Sequence, residues 1–483
     1  MNGKNDPMAK LGRLDLQASV EVCTPCHARK RIYKEKVSDR EDFHQVYAPD
    51  VWQQGGYFVD GRSRSLNYRW VDFMQNRCTP RSTQKLDCGY CHPPHSLHSV
   101  KHATVTESNQ ICTSCHLKHK TQLKAHTHHG VESDGSRCVA CHMPKMDLDL
   151  RMTVRDHTIS SPLPSISAQY EGVPNACNQC HKKAGEDVAW AVKWVEAWYG
   201  EQPNYQAYKK LITERAAVLK RVFSGDTPVA ELIAWLDDTT LNVVQRSSAA
   251  GFLGKAFGDP NAEAALLRHI NDPDPLVRYY VTRGLAPYQS AASLTAMRRA
   301  LQDPVRTVRV SAYEGLFYTL PQIDKDPDPT LTKVREEFRE RRDRVRVDDP
   351  RDSSTLAYWF FSRGNIKEAE KHLRRGVALA PRLPRTRADL VQFLLQAGQI
   401  DEAVTEVEVL LKLAPNSQAT LLAHGLTLLS QKRPAEAIVP LQRLVDSGRA
   451  DTTVTKALEL AKRAVQIGIL PTAPATAPEP NTP

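Results

Sequence analysis

The chain has no run of about eighteen or more apolar residues, the length an apolar helix needs to cross a bilayer, so no membrane span is encoded. Its first residues, Met1-Asn-Gly-Lys-Asn-Asp-Pro7, lack the apolar stretch of a secretory signal. Cysteine is absent after Cys180, and only three of the seventeen histidines, His269, His372 and His424, follow His181. Everything after that point has no thiols for disulfides or thiolate metal sites, so its stability must come from packed apolar surface. Acidic residues fall short of basic ones, 55 against 65, for a formal charge of +10. That excess raises a nucleic-acid reading, which the distribution of charge has to decide.

What the first part of the chain has instead is one pattern, five times over: Cys23-Thr-Pro-Cys26-His27, Cys88-Gly-Tyr-Cys91-His92, Cys112-Thr-Ser-Cys115-His116, Cys138-Val-Ala-Cys141-His142 and Cys177-Asn-Gln-Cys180-His181. This is the attachment signal for haem c. Two thiols add across the two vinyl groups of one porphyrin, and the adjoining imidazole becomes the proximal iron ligand, here His27, His92, His116, His142 and His181. From this composition the chance expectation of the pattern is roughly 0.01 in the whole chain. A zinc reading needs Cys-x-x-Cys units in pairs to complete each tetrahedron, and five units do not pair off. A thioredoxin-like motif occurs once, beside a βαβ pattern, and no such pattern surrounds these.

Ten of the eleven cysteines are in the motifs; Cys78 is left over and reads as a small core residue. Nine histidines before residue 181 are not proximal: His44, His95, His98, His102, His119, His126, His128, His129 and His157. They suffice for five bis-histidine irons. Residues 1–185 carry 25 Lys and Arg against 18 Asp and Glu, and the remainder 40 against 37. Each haem with ionised propionates brings about one negative charge when ferric and about two when ferrous. The basic excess of the first part is therefore read as propionate pairing, and no nucleic-acid partner is expected.

Taken in order, residues 1–22 suggest a short helix into the first motif. The longest gap between motifs, 28–87, holds Trp52, Tyr57, Phe58, Tyr68, Trp70 and Phe73, which either face porphyrin or form ordinary core. Pro93 and Pro94 disfavour a continuous helix between His92 and His95, sending His95 away from its own iron. His119 is either a ligand or a solvated helix residue. His126-Thr-His128-His129 offers more imidazoles than one iron needs, and His157 follows a carboxylate that could fix its tautomer.

From about residue 185 the pattern becomes helical, beginning with the amphipathic Val188–Tyr199. Asp237-Asp, Asp272-Pro-Asp-Pro-Leu-Val-Arg and Asp303-Pro-Val-Arg-Thr-Val-Arg recur about every 31 to 35 residues, as in HEAT-like repeats. There the Asp caps a helix, the Pro opens its first turn and the Arg is expected to reach the preceding repeat. Residues 322–349 read as a charged linker helix. Beyond them a 34-residue period (Gly364 and Gly398; Ala369, Ala403 and Ala437; Pro381 and Pro415) matches tetratricopeptide repeats over 350–470. The Pro-rich 471–483 is expected to be disordered. The fold expected is mostly α: a loop-rich multihaem cytochrome c domain over 1–185, then an α-solenoid of HEAT-like (186–321) and tetratricopeptide repeats.

The chain resembles bacterial multihaem c-type cytochromes that carry HEAT-like and tetratricopeptide repeats behind a haem domain. The resemblance rests on Cys23-Thr-Pro-Cys-His-Ala-Arg-Lys, Cys88-Gly-Tyr-Cys-His-Pro-Pro-His-Ser-Leu, Cys138-Val-Ala-Cys-His-Met-Pro, Arg155-Asp-His157, and Pro174-Asn-Ala-Cys-Asn-Gln-Cys-His running on to Trp198-Tyr-Gly. Similar proteins carry further motifs upstream of the position of Met1, so the chain reads as the C-terminal part of that pattern. Their haem cores are similar to those of nitrite reductase and hydroxylamine oxidoreductase type cytochromes. That similarity implies His95, His126, His129 and His157 as distal ligands and ranks His98 and His102 below them.

It also implies an electron carrier in the periplasm or another extracytoplasmic space, where haem is attached, with the signal removed or truncated. Redox proteins are the expected partners, the repeats the docking surface, and no catalytic residue is assigned. The alternative is an oxidoreductase acting on a small nitrogen or sulfur compound at one open iron. The carrier is favoured because the resembling nitrite reductases often end the catalytic motif in Lys, and all five motifs here end in His. A third reading makes the haems purely structural, filling a segment poor in aliphatics.

Overall fold

The structure, a computed structural model, describes residues 16–35, 42–64, 69–79, 86–92, 104–148, 152–320, 322–323, 326–341, 350–361, 364–446 and 452–467. The chain is mostly helical and divides into two compact units, 1–341 and 342–483. The Pro-rich tail and the first fifteen residues lie outside the described residues, as do His95, His98 and His102. No described helix is long and apolar enough to cross a membrane.

The first unit begins with short helices and two small antiparallel hairpins. Lys30–Ile32 pairs with Tyr47–Pro49, and Lys145–Leu148 with Met152–Arg155. From Pro203–Phe223 onward, helices alternate in a regular stack: Val229–Asp237, Val243–Leu253, Pro260–Arg268, Pro275–Leu285, Ala291–Ala300, Arg306–Thr319 and Pro329–Glu340. Their buried faces are aliphatic, with Leu232, Leu236, Val244, Leu253, Leu266, Leu276, Leu285 and Val308 withdrawn from solvent. Helices Val243–Leu253 and Pro275–Leu285 touch backbone to backbone at Gly254 and Gly284.

The turns follow the expected chemistry with one change of direction. Asp274 caps Pro275–Leu285 by accepting from Leu276 N–H at 2.8 Å, with Pro275 in the first turn. The arginines reach forward to the following repeat, not back. Arg246 pairs with Asp272, Arg278 with Asp303 at 2.7 and 3.1 Å, and Arg309 with Glu337. Each of Arg278 and Arg309 also donates to carbonyls of the turn before its own helix. A fork of five donors lets one side chain close its own turn and hold the next repeat.

Residues 329–340, expected as part of a charged linker, pack as the last helix of this stack. Leu331, Val334 and Phe338 are buried, Phe338 lies 5.2 Å from the ring of Tyr313, and Glu337 and Glu340 take Arg309 and Arg306. The charges that suggested a solvated helix are partners for the arginine ladder.

His269 sits in that ladder between two carboxylates, with Nε2 2.7 Å from Asp237 and Nδ1 3.2 Å from Asp272. Its pKa is raised by the hydrogen bonds to Asp272 and Asp237. Burial alone would raise the Asp272 carboxyl, but bonds from His269 and Arg246 hold it at about 2. A group whose folded pKa is raised stabilises the fold below its unfolded value of about 6.5, and the contribution is lost as pH rises through the folded value. The protein is expected to melt higher at about pH 6 than at about pH 8.5 through this group. In a calorimetric pH series His269→Gln should narrow that difference; an unchanged difference would show that His269 is a bystander.

The second unit is a set of helix pairs: Pro350–Phe361 with Ile366–Leu379, Pro384–Gln396 with Ile400–Leu413, Gln418–Ser430 with Pro434–Asp446, and Thr452–Gln466. Ala369, Ala403 and Ala437 are fully buried where helices cross, which is why the period keeps a methyl there. The turns at Gly364 and Gly398 are left-handed, φ +72° and +75°. The equivalent residue one period later is Lys432, which takes φ +59° without the freedom of glycine.

Candidate haem-binding site

The five motifs lie on short helical turns or at helix ends. Helix Leu16–His27 ends in the first, Cys88–Cys91 carries the second under an Asp87 cap, and Val105–Thr113 enters the third behind a Thr104–Glu107 capping box. Cys138–His142 and the 3-10 turn Cys177–Gln179 carry the fourth and fifth. A helical turn puts positions i and i+3 on one side, so both thiols of a motif face the same way. None of the eleven cysteines is in a disulfide. Thiols of successive motifs lie close enough to perturb one another: Cys88 lowers the Cys23 thiol, and Cys138 raises that of Cys112. Burial pushes Cys91 and Cys141 up to about 11, with Cys112 adding to the first and Cys177 to the second. The motifs are therefore neighbours in space in their sequence order.

Across from three of the motif histidines stand imidazoles from distant segments. His92 and His157 are 6.1 Å apart between ring centroids, His142 and His126 6.1 Å with planes 6° apart, and His181 and His129 5.9 Å. A metal–imidazole nitrogen bond is about 2.0 Å and the ring centre lies about 1.1 Å behind the nitrogen, so two imidazoles on opposite sides of one iron stand about 6 Å apart. His116 and His119 are 6.3 Å apart, but they are neighbours three residues apart at the head of one helix, where such spacing is ordinary.

The rings are turned for ligation. Nδ1 faces a backbone carbonyl in three cases: His142 towards Ser160 at 3.0 Å, His157 towards Arg155 at 2.8 Å and His129 towards Thr127 at 2.6 Å. His181 Nδ1 lies 3.5 Å from the Glu186 carboxylate. An N–H donated there fixes the tautomer that leaves Nε2 free as a ligand. Burial lowers His142, and burial with neighbouring imidazoles lowers His126 and His157 to about 4, so the rings are neutral as a ligand must be. These groups fit haem c: paired thiols without disulfides, and imidazole pairs one iron apart.

Polar ties hold the pieces in register. Buried Asn109 donates to Ser136 O and accepts from Cys138 N–H, both at 2.8 Å, joining the third motif to the fourth. Arg155 donates to Val139 O and Met143 O, fastening the strand before His157 to the fourth motif. Gln179 and the backbone of Lys145 exchange two hydrogen bonds, at 3.2 and 2.6 Å, tying in the fifth. Gly135 leaves room for the ring of His129, since a Cβ there would fall 2.4 Å from it.

Helix Val188–Tyr199, expected to open the repeat region, belongs to this site. Trp190 lies 4.6 Å from the ring of His181, Trp198 stacks on His128 at 4.0 Å and 7°, and the Tyr199 hydroxyl donates to the carbonyl of His126. Trp198 stacks on His128, while His126 lies 4.1 Å from the ring of His119 and 6.1 Å from that of His142, and His129 5.9 Å from His181. Trp52 goes the other way: it is core, 6.1 Å from Trp235 with Arg215 over its ring. His44 is buried beside Glu21, its Nε2 3.7 Å from that carboxylate. Cys78 is half-buried near Cys91.

Three family models match the chain: cytochrome c552 over residues 127–218, HEAT repeats over 229–316 and tetratricopeptide repeat over 360–425. The first runs past residue 185 and takes in Val188–Tyr199. No curated protein matches. Among solved structures, the crystal structure of the yeast Tom70 aligns with a TM-score of 0.31 at 17% identity, over 60% of this chain and 66% of that one, slightly under two thirds of its length. The chain thus combines a region similar to c-type cytochromes, which implies haem c, with two kinds of helical repeat of a type that engages proteins.

Proposed function

We propose that the chain is a multihaem c-type cytochrome of an extracytoplasmic compartment, binding five haems and passing electrons between protein partners. The observation that carries this is the set of three imidazole pairs, from segments 16 to 65 residues apart, each at the span of one iron and each attached to a different Cys-x-x-Cys-His motif. Cys23 and Cys26, Cys88 and Cys91, Cys112 and Cys115, Cys138 and Cys141, and Cys177 and Cys180 would hold the five macrocycles. His157, His126 and His129 would close the irons of His92, His142 and His181, with His95 a further distal ligand.

When bound, haem supplies an iron that cycles between ferric and ferrous. The chain's part is to fix the axial rings, to exclude water and to keep successive sites close. The carbonyls of Ser160, Arg155 and Thr127 prevent the imidazoles from rotating, so little rearrangement accompanies a change of charge. The closeness of successive motifs would bring neighbouring macrocycle edges together, which direct transfer requires. The tetratricopeptide unit is the proposed docking surface for a redox protein.

Mass spectrometry of denatured protein, made in a host that attaches haem, tests the cofactor count. Five covalent haems are expected; fewer in fully matured material would remove a motif from the reading. Electron paramagnetic resonance separates the carrier from an oxidoreductase acting on nitrite or hydroxylamine. A high-spin signal that moves on adding either compound would favour the enzyme.

A further inference from the structure

Residues 33–35 and 43–52, which follow the first motif, are seated on the HEAT-like helices. We infer that these helices are the positioning scaffold of the haem held by Cys23, Cys26 and His27, setting its properties from within the chain. The inference rests on the proposed function for the haem itself.

Two features carry it. The first is that the helices recognise the segment through its backbone, as a receptor recognises an extended peptide. Tyr280 accepts from Val51 N–H at 3.2 Å and donates to Pro49 O at 3.0 Å. Ser248 Oγ accepts from Trp52 N–H at 3.1 Å. Gln45 spans the start of helix Arg306–Thr319, donating to Pro304 O and accepting from Arg306 N–H, both at 3.0 Å. The Glu340 carboxylate accepts from Glu35 N–H at 3.0 Å.

The second is burial without slack. Tyr33 is wholly buried, with its hydroxyl 2.9 Å from that of Tyr279 and the Arg341 guanidinium 4.3 Å above its ring. The Tyr33 phenol is pushed up by burial, so it stays neutral.

The path from helix to iron is short. Pro49 and Val51, held by Tyr280, flank Asp50, whose N–H donates to Arg29 O at 2.9 Å, and Arg29 is two residues from His27. Strand Tyr47–Pro49 pairs with Lys30–Ile32, and Ala28 N–H closes the turn on Thr24 O at 2.9 Å. A displacement of the loop at Tyr280 would therefore be passed through two hydrogen bonds to the residues beside His27, which would hold the first haem. The face of helices Val243–Leu253, Pro275–Leu285 and Arg306–Thr319 used in this way is filled by the chain itself.

The test uses full-length, haem-loaded protein. Tyr280→Phe with Ser248→Ala removes three of the backbone hydrogen bonds and keeps the apolar volume. Covalent haem content is expected to match the parent, while one reduction step in a spectroelectrochemical titration is displaced and the others superimpose. The displaced step should be the one missing from a Cys23→Ala, Cys26→Ala protein. Gln45→Ala, which removes a separate pair of bonds, should move the same step less and keeps the test open if the double variant folds poorly. Phe257→Ala, an exposed change on the same stack, should move none. Titrations that superimpose on the parent in both the double and the Gln45 variants would overturn the inference. So would equal displacement of every step, which marks general loosening. A parent protein without covalent haem would sink the proposed function instead, and that result is read before any variant is made.

Discussion

His157→Ala should turn one haem from low spin to high spin and leave the remaining irons as they were. In the parent, His157 stands 6.1 Å from His92, is mostly buried, and is anchored through Nδ1 to its own segment's carbonyl at residue 155. Removing the ring opens a cavity where an iron would keep only its proximal ligand, and a five-coordinate ferric haem is high-spin. The oxidised variant should show one haem's worth of high-spin resonance and bind cyanide at that site. Added imidazole of about millimolar concentration should restore the low-spin spectrum by filling the space left behind. The same result is expected for His126→Ala at the iron of His142 and His129→Ala at that of His181. A variant with an unchanged low-spin spectrum would remove its residue from the ligand set. His128→Ala is the internal control, since that ring lies on Trp198.

Gly284→Val should be the most damaging single change in the helical stack. A Cβ at Gly284 would lie 2.7 Å from the carbonyl oxygen of Ala250 and 3.0 Å from Leu266, and the opposing Gly254 meets the Cα of Gly284 in the same way. Neither clash is relieved by a side-chain rotation, because backbone atoms are involved on both helices. The helices must separate, which opens packing around Leu253, Leu285 and Val281. A cost of about 3 kcal/mol or more is expected, lowering the melting temperature by roughly 10 °C. Gly258→Val, at a turn where nothing lies within 4 Å of a Cβ but φ is +93°, should cost only the strain of a left-handed residue, about 1–2 kcal/mol. Equal effects at the two positions would mean that the close approach of the helices does not govern stability.

The motifs stand out in the sequence because haem attachment would fix their spacing: two thiols must reach one macrocycle, with His directly after. The repeats were legible because each helix pair buries the same small residue at a fixed period, as Ala369, Ala403 and Ala437 do. The distal rings were not legible from spacing. His126, His128 and His129 are equivalent on paper, and a left-handed turn at His128, φ +59°, turns them in different directions. Their expected role came from family resemblance, and the ring distances from the structure. Helix Val188–Tyr199 was read as ordinary helix because a stripe of indoles at helical period looks the same whether it packs on another helix or on imidazoles. The seat of residues 33–35 and 43–52 on the HEAT-like helices joins positions more than 190 residues apart largely through backbone groups, which carry no residue signature. The forward direction of the arginines escaped for a similar reason, since Asp turns lie on both sides of these helices.

The closeness of thiols from different motifs bears on how the molecule is made. Cys23 lies near Cys88 and Cys112 near Cys138, although on the proposed function each would belong to a different haem. A chain that reached this fold before receiving its cofactors would present, in an oxidising compartment, two mismatched sulfur pairs ready to be cross-linked. Each cross-link would disable two sites at once. On the proposed function, cofactor attachment would then be expected to run ahead of folding, and the slowest motif to be loaded would decide whether its neighbour is lost with it.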